Sequence, residues 1–161
     1  MKHKLCLSCP DEFAMLALGG HMSSALPKGV LMTLEGELGA GKSFLARAII
    51  HAAGYVGRVK SPTYTLIETY DIESAPDESR HIAHLDLYRL ADPDELHYLG
   101  LDDVLDTHDL VMIEWPERAG DLLPAADVCV RIDYAESGGR IVTIKSTIAL
   151  PSPTDVTRLS L

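Results

Sequence analysis

Positive charge is scarce in this chain: 14 lysines and arginines stand against 24 aspartates and glutamates, a formal net charge of −10. A protein that grips RNA or DNA unaided normally turns a basic face to the phosphate backbone. The balance therefore argues against a DNA-binding role and leaves any contact with RNA to a partner. Long apolar runs are missing as well, and none approaches the roughly 18 residues that a membrane span requires. After the basic start at Met1–Lys4 comes Leu5-Cys6-Leu7-Ser8-Cys9, closed at once by Pro10-Asp11-Glu12. That stretch is too short for the core of a secretory signal, so a cytoplasmic location without a membrane partner is expected. Cysteine is limited to Cys6, Cys9 and Cys129. Cys6-x-x-Cys9 has half the spacing of a zinc or redox site, but there is no second pair and no thioredoxin-like βαβ unit follows. The two are read as incidental reduced thiols.

What is present fits a globular protein. With 161 residues, 47% of them hydrophobic and 24% charged, the chain has room for one domain. Its core is expected at about 10–146, with a short tail that carries no motif. Pro10-Asp11-Glu12 followed by Phe13, Leu16, Ala17, Met22 and Ala25 predicts an amphipathic helix with acid at its positive end. Val30 to Leu34 is a short apolar run suited to a buried strand; a glycine-rich loop follows, then a helix-like stretch from Phe44 to Ile50 that ends near Gly54. Thr63 to Tyr70 has the β-branched and aromatic content of a strand, 72–80 reads as a polar hairpin loop, and His81 to Tyr88 alternates as a strand does. Asp92-Pro93-Asp94-Glu95 supplies an N-cap, a proline at the first helical position and an acid three residues after the cap. A helix of one to three turns starts there and runs through Leu96 and Leu99. Asp109 to Trp115 is a further buried strand, and Asp127 to Asp133 pairs with Arg140 to Ser146 around a turn at 135–139. The order α-β-α-β-β-α-β-β-β predicts an α/β, P-loop NTPase-like three-layer fold, with a mixed, partly antiparallel central sheet flanked by helices.

The chemistry is concentrated in Gly36 to Ser43, which reads G-E-L-G-A-G-K-S. Its glycines permit backbone angles that turn successive N–H groups inward around phosphate oxygens. The next helix begins at the loop, so its positive end faces the same anion. Lys42 can reach the β- and γ-phosphates, and the Ser43 hydroxyl can ligate Mg²⁺. Such a loop needs a second acid for the metal on a neighbouring strand. Glu114, closing the apolar run Leu110 to Ile113, stands where that acid belongs; Asp86 is a second candidate, for holding a metal-bound water or polarising the attacking one. Thr63, in Ser61-Pro62-Thr63-Tyr64-Thr65, lies about twenty residues after Lys42, where GTPase-like proteins place a switch threonine. No Asn-Lys-x-Asp run is present to select guanine, which points to ATP, and no arginine-rich lid of the small-molecule kinase type is found. His81 and His84 are read as sharing one strand face, structural or pocket-lining, with no zinc site.

Four stretches together resemble one family: the G-E-L-G-A-G-K-S loop, S-P-T-Y-T-L at Ser61 to Leu66, H-L-D-L-Y-R-L at His84 to Leu90, and E-W-P-E at Glu114 to Glu117. It is the bacterial TsaE family (the YjeE-type ATPases), and the similarity runs from about Asp11 to about Ile144 in the same order. The resemblance implies a protein that binds ATP and Mg²⁺ and hydrolyses ATP slowly alone. It also implies association with TsaD and TsaB, which transfer a threonylcarbamoyl group to the adenosine beside the tRNA anticodon. The role implied here is to reset that complex between turnovers, with tRNA held only by the partners.

By the same resemblance Leu38, Gly39, Ala40, Gly41, Lys42 and Ser43 form the phosphate cradle, Phe44 joins the nucleotide-binding residues, and Ser43 with Glu114 contacts Mg²⁺. Lys42, Asp86, Glu114 and Thr63 become the catalytic set, and Trp115 matches a tryptophan beside the nucleotide. Glu12 and Arg140 match positions that flank the base and sugar. Ser43 stands where the family commonly has threonine, and Glu37 where aspartate is frequent. Two other uses of the loop stay open: a small-molecule or nucleotide kinase, and a binding module that ATP gates without chemistry.

Overall fold

The computed structural model describes residues 1–73, 79–151, 153 and 157–158. Its centre is β2 (Val30–Glu35), where Leu31, Met32, Thr33 and Leu34 are all buried because both faces of the strand are covered. β2 pairs in parallel with β5 (Leu110–Glu114) on one side and with β6 (Val128–Tyr134) on the other. Beyond β5 lies β4 (Ser79–Asp86), also parallel, and then β3 (Ile67–Glu73), antiparallel. Beyond β6 come β7 (Arg140–Ser146), β1 (His3–Cys9) and the short β8 (Thr157–Arg158), each antiparallel to its neighbour. The sheet is therefore mixed, in the order β3-β4-β5-β2-β6-β7-β1-β8.

Alternation along the strands builds a core on each face. Met32, Leu34, Leu110 and Met112 meet α1 (Glu12–Ala25) and α2 (Lys42–Ala52) through Met15, Leu18, Leu45 and Ile49. Leu31, Val111, Ile113, Ala83 and Leu85 point the other way, toward α3 (Glu95–Tyr98), α4 (Leu101–Thr107) and the 3-10 segment Pro116–Leu122. That second layer packs Leu96, Leu101 and Ala119. Three layers result, as the order of predicted elements implies. Among the described residues no helix is long and apolar enough to cross a membrane.

Local signals account for most of the boundaries. Asp11 caps α1, its Oδ1 accepting from the Ala14 amide at 2.9 Å. Ahead of α3, the Asp94 amide donates to Asp92 Oδ1 at 2.9 Å and the Asp92 amide to Glu95 Oε1 at 3.1 Å, the reciprocal capping anticipated there. α3 stops at Tyr98, however, and Gly100 at φ 71° starts a separate α4. The expected strand from Thr63 begins at Ile67 instead, because residues 62–66 close a turn in which the Leu66 amide donates to the Pro62 carbonyl at 2.7 Å. The expected hairpin loop overlaps the ends of β3 and β4, and its residues 74–78 lie outside the described residues. The first residues, read as an end with two incidental thiols, form β1 and bury Leu5, Leu7 and Cys9, so the sheet uses chain outside 10–146. All three cysteines are free thiols, and β8 lies in the tail expected to carry no motif.

Candidate functional site

The four parallel strands end along one edge of the sheet, and loops leaving those carboxyl ends collect there, where open α/β sheets bind ligands. The glycine-rich loop runs from β2 to α2 at that edge. Gly36 leaves β2 at φ 142°, and a Cβ there would collide with the carbonyl oxygen of Ile132, so no other residue fits the turn. Lys42 opens α2 almost fully buried, its Nζ donating to the carbonyls of Gly36 at 2.7 Å and Glu37 at 2.9 Å. The same ammonium lies 4.2 Å from the centroid of the Trp115 ring. Burial holds its pKa below the ordinary lysine value, against the pull of Glu114, Asp86 and Glu117.

Two carboxylates face this lysine. Asp86 and Glu114 end β4 and β5, sit opposite each other in parallel register, and are both buried. Each is restrained. Thr63 Oγ1–H donates to Asp86 Oδ2 at 2.9 Å, and the Tyr88 amide donates to Oδ1 at 3.1 Å. Glu114 Oε1 lies 2.8 Å from His84 Nε2. Trp115, next in the chain, sits at φ 56°, ψ 51°, a left-handed conformation that is uncommon for a bulky residue. Such backbone costs of order 1–3 kcal/mol and turns the ring beneath Lys42, against Tyr88 at a centroid separation of 5.0 Å.

Besides a cleft of about 680 Å³ lined by Gly36, Glu37, Leu38, Trp115, Glu117 and Asp133, two more meet at the loop. One, of about 400 Å³, is lined by Leu38, Gly39, Gly41, Lys42, Ser43 and Phe44 together with Thr63, Asp86, Glu114 and Trp115. The other, of about 390 Å³, is lined by Glu12, Gly39, Ala40, Gly41, Phe44 and Arg140, with Cys9, Asp11 and Met15. The residues expected to bind the nucleotide, ligate Mg²⁺ or act in catalysis line these two clefts, with Leu38 and Trp115 also bordering the cleft of about 680 Å³. Arg140, expected to flank the base and sugar, grips the loop itself: Nε–H donates to the Ala40 carbonyl at 2.7 Å and an Nη2–H to that of Gly39 at 3.2 Å. Its guanidinium stacks on Tyr134 at 4.2 Å, and the Tyr134 hydroxyl donates to the Leu38 carbonyl at 3.2 Å. Three consecutive loop carbonyls are thus engaged by the β6–β7 hairpin.

Sequence reasoning missed several of these groups. Tyr134 carries no local signal, because only the sheet brings it to the loop. Arg89 lines the first cleft, its guanidinium 4.4 Å from the Tyr64 ring, although no arginine was expected there. His81 and His84 do not share a face: an odd spacing in a strand puts them on opposite sides. His81 pairs with Asp71 at the surface while His84 is buried against Glu114. The spacing that joins His84 to Asp86 was available in the sequence and points to one face.

The oxygen-only donors Ser43, Asp86 and Glu114 suit a hard cation, and the register that sets two buried carboxylates side by side under one lysine leaves negative charge for it to neutralise. Among the described residues no group of three or more His, Cys, Asp or Glu could hold a metal. Mg²⁺ binds through one or two carboxylates with water and phosphate completing the shell, and Ser43, Asp86 and Glu114 offer oxygens of that kind.

Residues 9–142 match the family model described as threonylcarbamoyl adenosine biosynthesis protein TsaE. A tRNA threonylcarbamoyladenosine biosynthesis protein TsaE of Haemophilus influenzae is 43% identical over 143 residues, covering 86% of this chain and 87% of that one. The Bacillus subtilis protein of the same name is 31% identical over 135 residues, covering 83% and 79%. In fold, the crystal structure of Bacillus subtilis YdiB superposes with a TM-score of 0.73 at 24% identity, over 92% of this chain and 88% of that one.

Proposed function

This chain belongs to the TsaE family, whose role is in tRNA threonylcarbamoyladenosine biosynthesis, and from that membership we propose that it is the ATP-binding and ATP-hydrolysing subunit of that machinery. In this reading it works with TsaD and TsaB to reset the complex between turnovers. The threonylcarbamoyl transfer and the grip on tRNA belong to those partners. One observation carries the ATPase assignment: Lys42, Ser43, Asp86 and Glu114 converge on a single cleft beneath a glycine-rich loop.

The chain's own groups divide the work. The hairpin holds the Leu38, Gly39 and Ala40 carbonyls on its side of the loop, and the Ala40 amide donates to the Glu37 carbonyl at 3.1 Å; the amides that follow at the start of α2 would meet phosphate oxygens. Lys42 exchanges its carbonyl partners at Gly36 and Glu37 for the β- and γ-phosphates. Ser43 and Glu114 would hold Mg²⁺, which when bound neutralises charge on the phosphoryl oxygens. Asp86, fixed by Thr63 and the Tyr88 amide, orients the attacking water.

Release of free phosphate from ATP, compared between the natural chain and Lys42→Ala, tests this. We expect slow Mg²⁺-dependent release that the variant abolishes together with nucleotide binding. Transfer of the γ-phosphoryl group to an added metabolite without free phosphate would replace the reading with a kinase.

A further inference from the structure

His84 has no part in the chemistry described so far, yet it is almost fully buried and its Nε2 sits 2.8 Å from Glu114 Oε1. We propose that His84 is a positioning residue that braces Glu114, holding one carboxylate oxygen so that the other is presented to the metal. The inference rests on the reading of Glu114 as a Mg²⁺ contact.

Three observations carry it. First, the geometry is specific: Ile82, His84 and Asp86 alternate onto the α2 side of β4, and Leu110, Met112 and Glu114 do the same on β5, with Asp86 opposite Glu114. The imidazole thus meets Glu114 from one residue pair deeper in the sheet. Second, the hydrogen can be placed. Among the described residues His84 Nδ1 is buried with no partner. A proton there would be an orphaned donor in the core, a costly arrangement, whereas on Nε2 it meets a carboxylate oxygen. A hydrogen on Nε2, donated to Glu114 Oε1, leaves no orphaned donor. Third, Glu114 lines the cleft with Lys42 and Ser43, so the oxygen not held by His84 is the one that serves the cleft. A ligating carboxylate whose outer oxygen is hydrogen-bonded keeps one orientation, and removing such a partner typically weakens metal affinity about 10- to 100-fold.

The test measures nucleotide affinity with and without Mg²⁺, following quenching of Trp115, the chain's single tryptophan, and Mn²⁺ binding by electron paramagnetic resonance. His84→Leu removes the donor and His84→Gln keeps an N–H near the position of Nε2. We expect His84→Leu to lose about tenfold or more of the Mg²⁺-dependent gain in affinity. Mg²⁺-free affinity should stay within about twofold, and His84→Gln should retain most of the gain. Equal loss of Mg²⁺-free binding in His84→Leu, or no rescue by His84→Gln, would make His84 a structural residue and overturn the brace. Glu114→Gln separates the two levels. A gain lost in Glu114→Gln but intact in His84→Leu overturns the brace alone, and a gain intact in Glu114→Gln removes the metal role of Glu114 and the brace with it.

Discussion

At the scale of single residues, the site is built from groups that would be expensive to bury alone and are therefore held in pairs. Lys42, His84, Asp86 and Glu114 are all nearly inaccessible, and each has a partner on a different element. Cys9 belongs to the same neighbourhood through the second cleft. Burial, with the nearby charge of Asp11, pushes its thiol from 9.0 up to about 11. The folded protein therefore keeps that proton at pH values where the unfolded chain has lost it. The contribution is present in full below pH 9 and disappears as pH rises from 9 to about 11. Denaturant titrations should show the natural chain losing stability across that window more steeply than Cys9→Ala. Parallel slopes for the two would place the pH dependence elsewhere. Alkylation at neutral pH should also reach Cys9 last of the three thiols, since the thiolate is the reactive form.

Among elements, the contact between α1 and α2 decides where the loop points, because α2 begins inside it. Gly19 lies at that contact. A Cβ added there would stand 2.5 Å from Ala48 Cβ and 3.1 Å from the Ala48 carbonyl carbon, whereas at Gly20 nothing lies within 4 Å. Two neighbouring glycines in one helix therefore predict opposite outcomes. Gly20→Ala should stabilise the protein by up to about 1 kcal/mol through helix propensity and the unfolded chain. In Gly19→Ala the same gain is set against overpacking of about 1–3 kcal/mol, so the net change is destabilising. Thermal unfolding of both variants checks this, and a higher melting temperature for Gly19→Ala would mean that the helices part at little cost. The β6–β7 hairpin acts at the same scale, since Arg140 and Tyr134 reach the loop only because β6 lies beside β2.

For the molecule as a whole, one edge of the sheet carries the loop, both acids and the hairpin clamp, while the formal charge is −10. An acidic chain of this kind is not expected to hold tRNA by itself. Arg89, which lines the cleft with Lys42, is stacked on the exposed Tyr64 ring. Both features agree with a site that partners complete. Adding TsaD with TsaB should raise the rate of phosphate release from ATP by at least an order of magnitude, about 1.4 kcal/mol of transition-state stabilisation. An unchanged rate would show that the site is complete alone. A gel-shift titration should detect no complex with tRNA until those partners are present.

The primary structure was enough for the elements whose signal is local. The loop, the strand–loop–helix frame around it, the capping at Asp92 and the acids at strand ends are read from spacing and residue type, because short-range sterics and hydrogen bonding create them. β1 was not legible: its Leu-Cys-Leu-Ser-Cys alternation is short, and only pairing with β7 makes it a strand. β3 starts at Ile67 and not at Thr63, because the β propensity of 63–66 is overridden by the turn that the Leu66 amide closes on the Pro62 carbonyl. Tertiary structure alone decided which groups meet: Tyr134 and Arg140 on the loop about a hundred residues away in the chain, and His84 on Glu114 across two strands. Such meetings depend on strand order and register, which are set by how all the apolar faces close together and are written in no single stretch of chain.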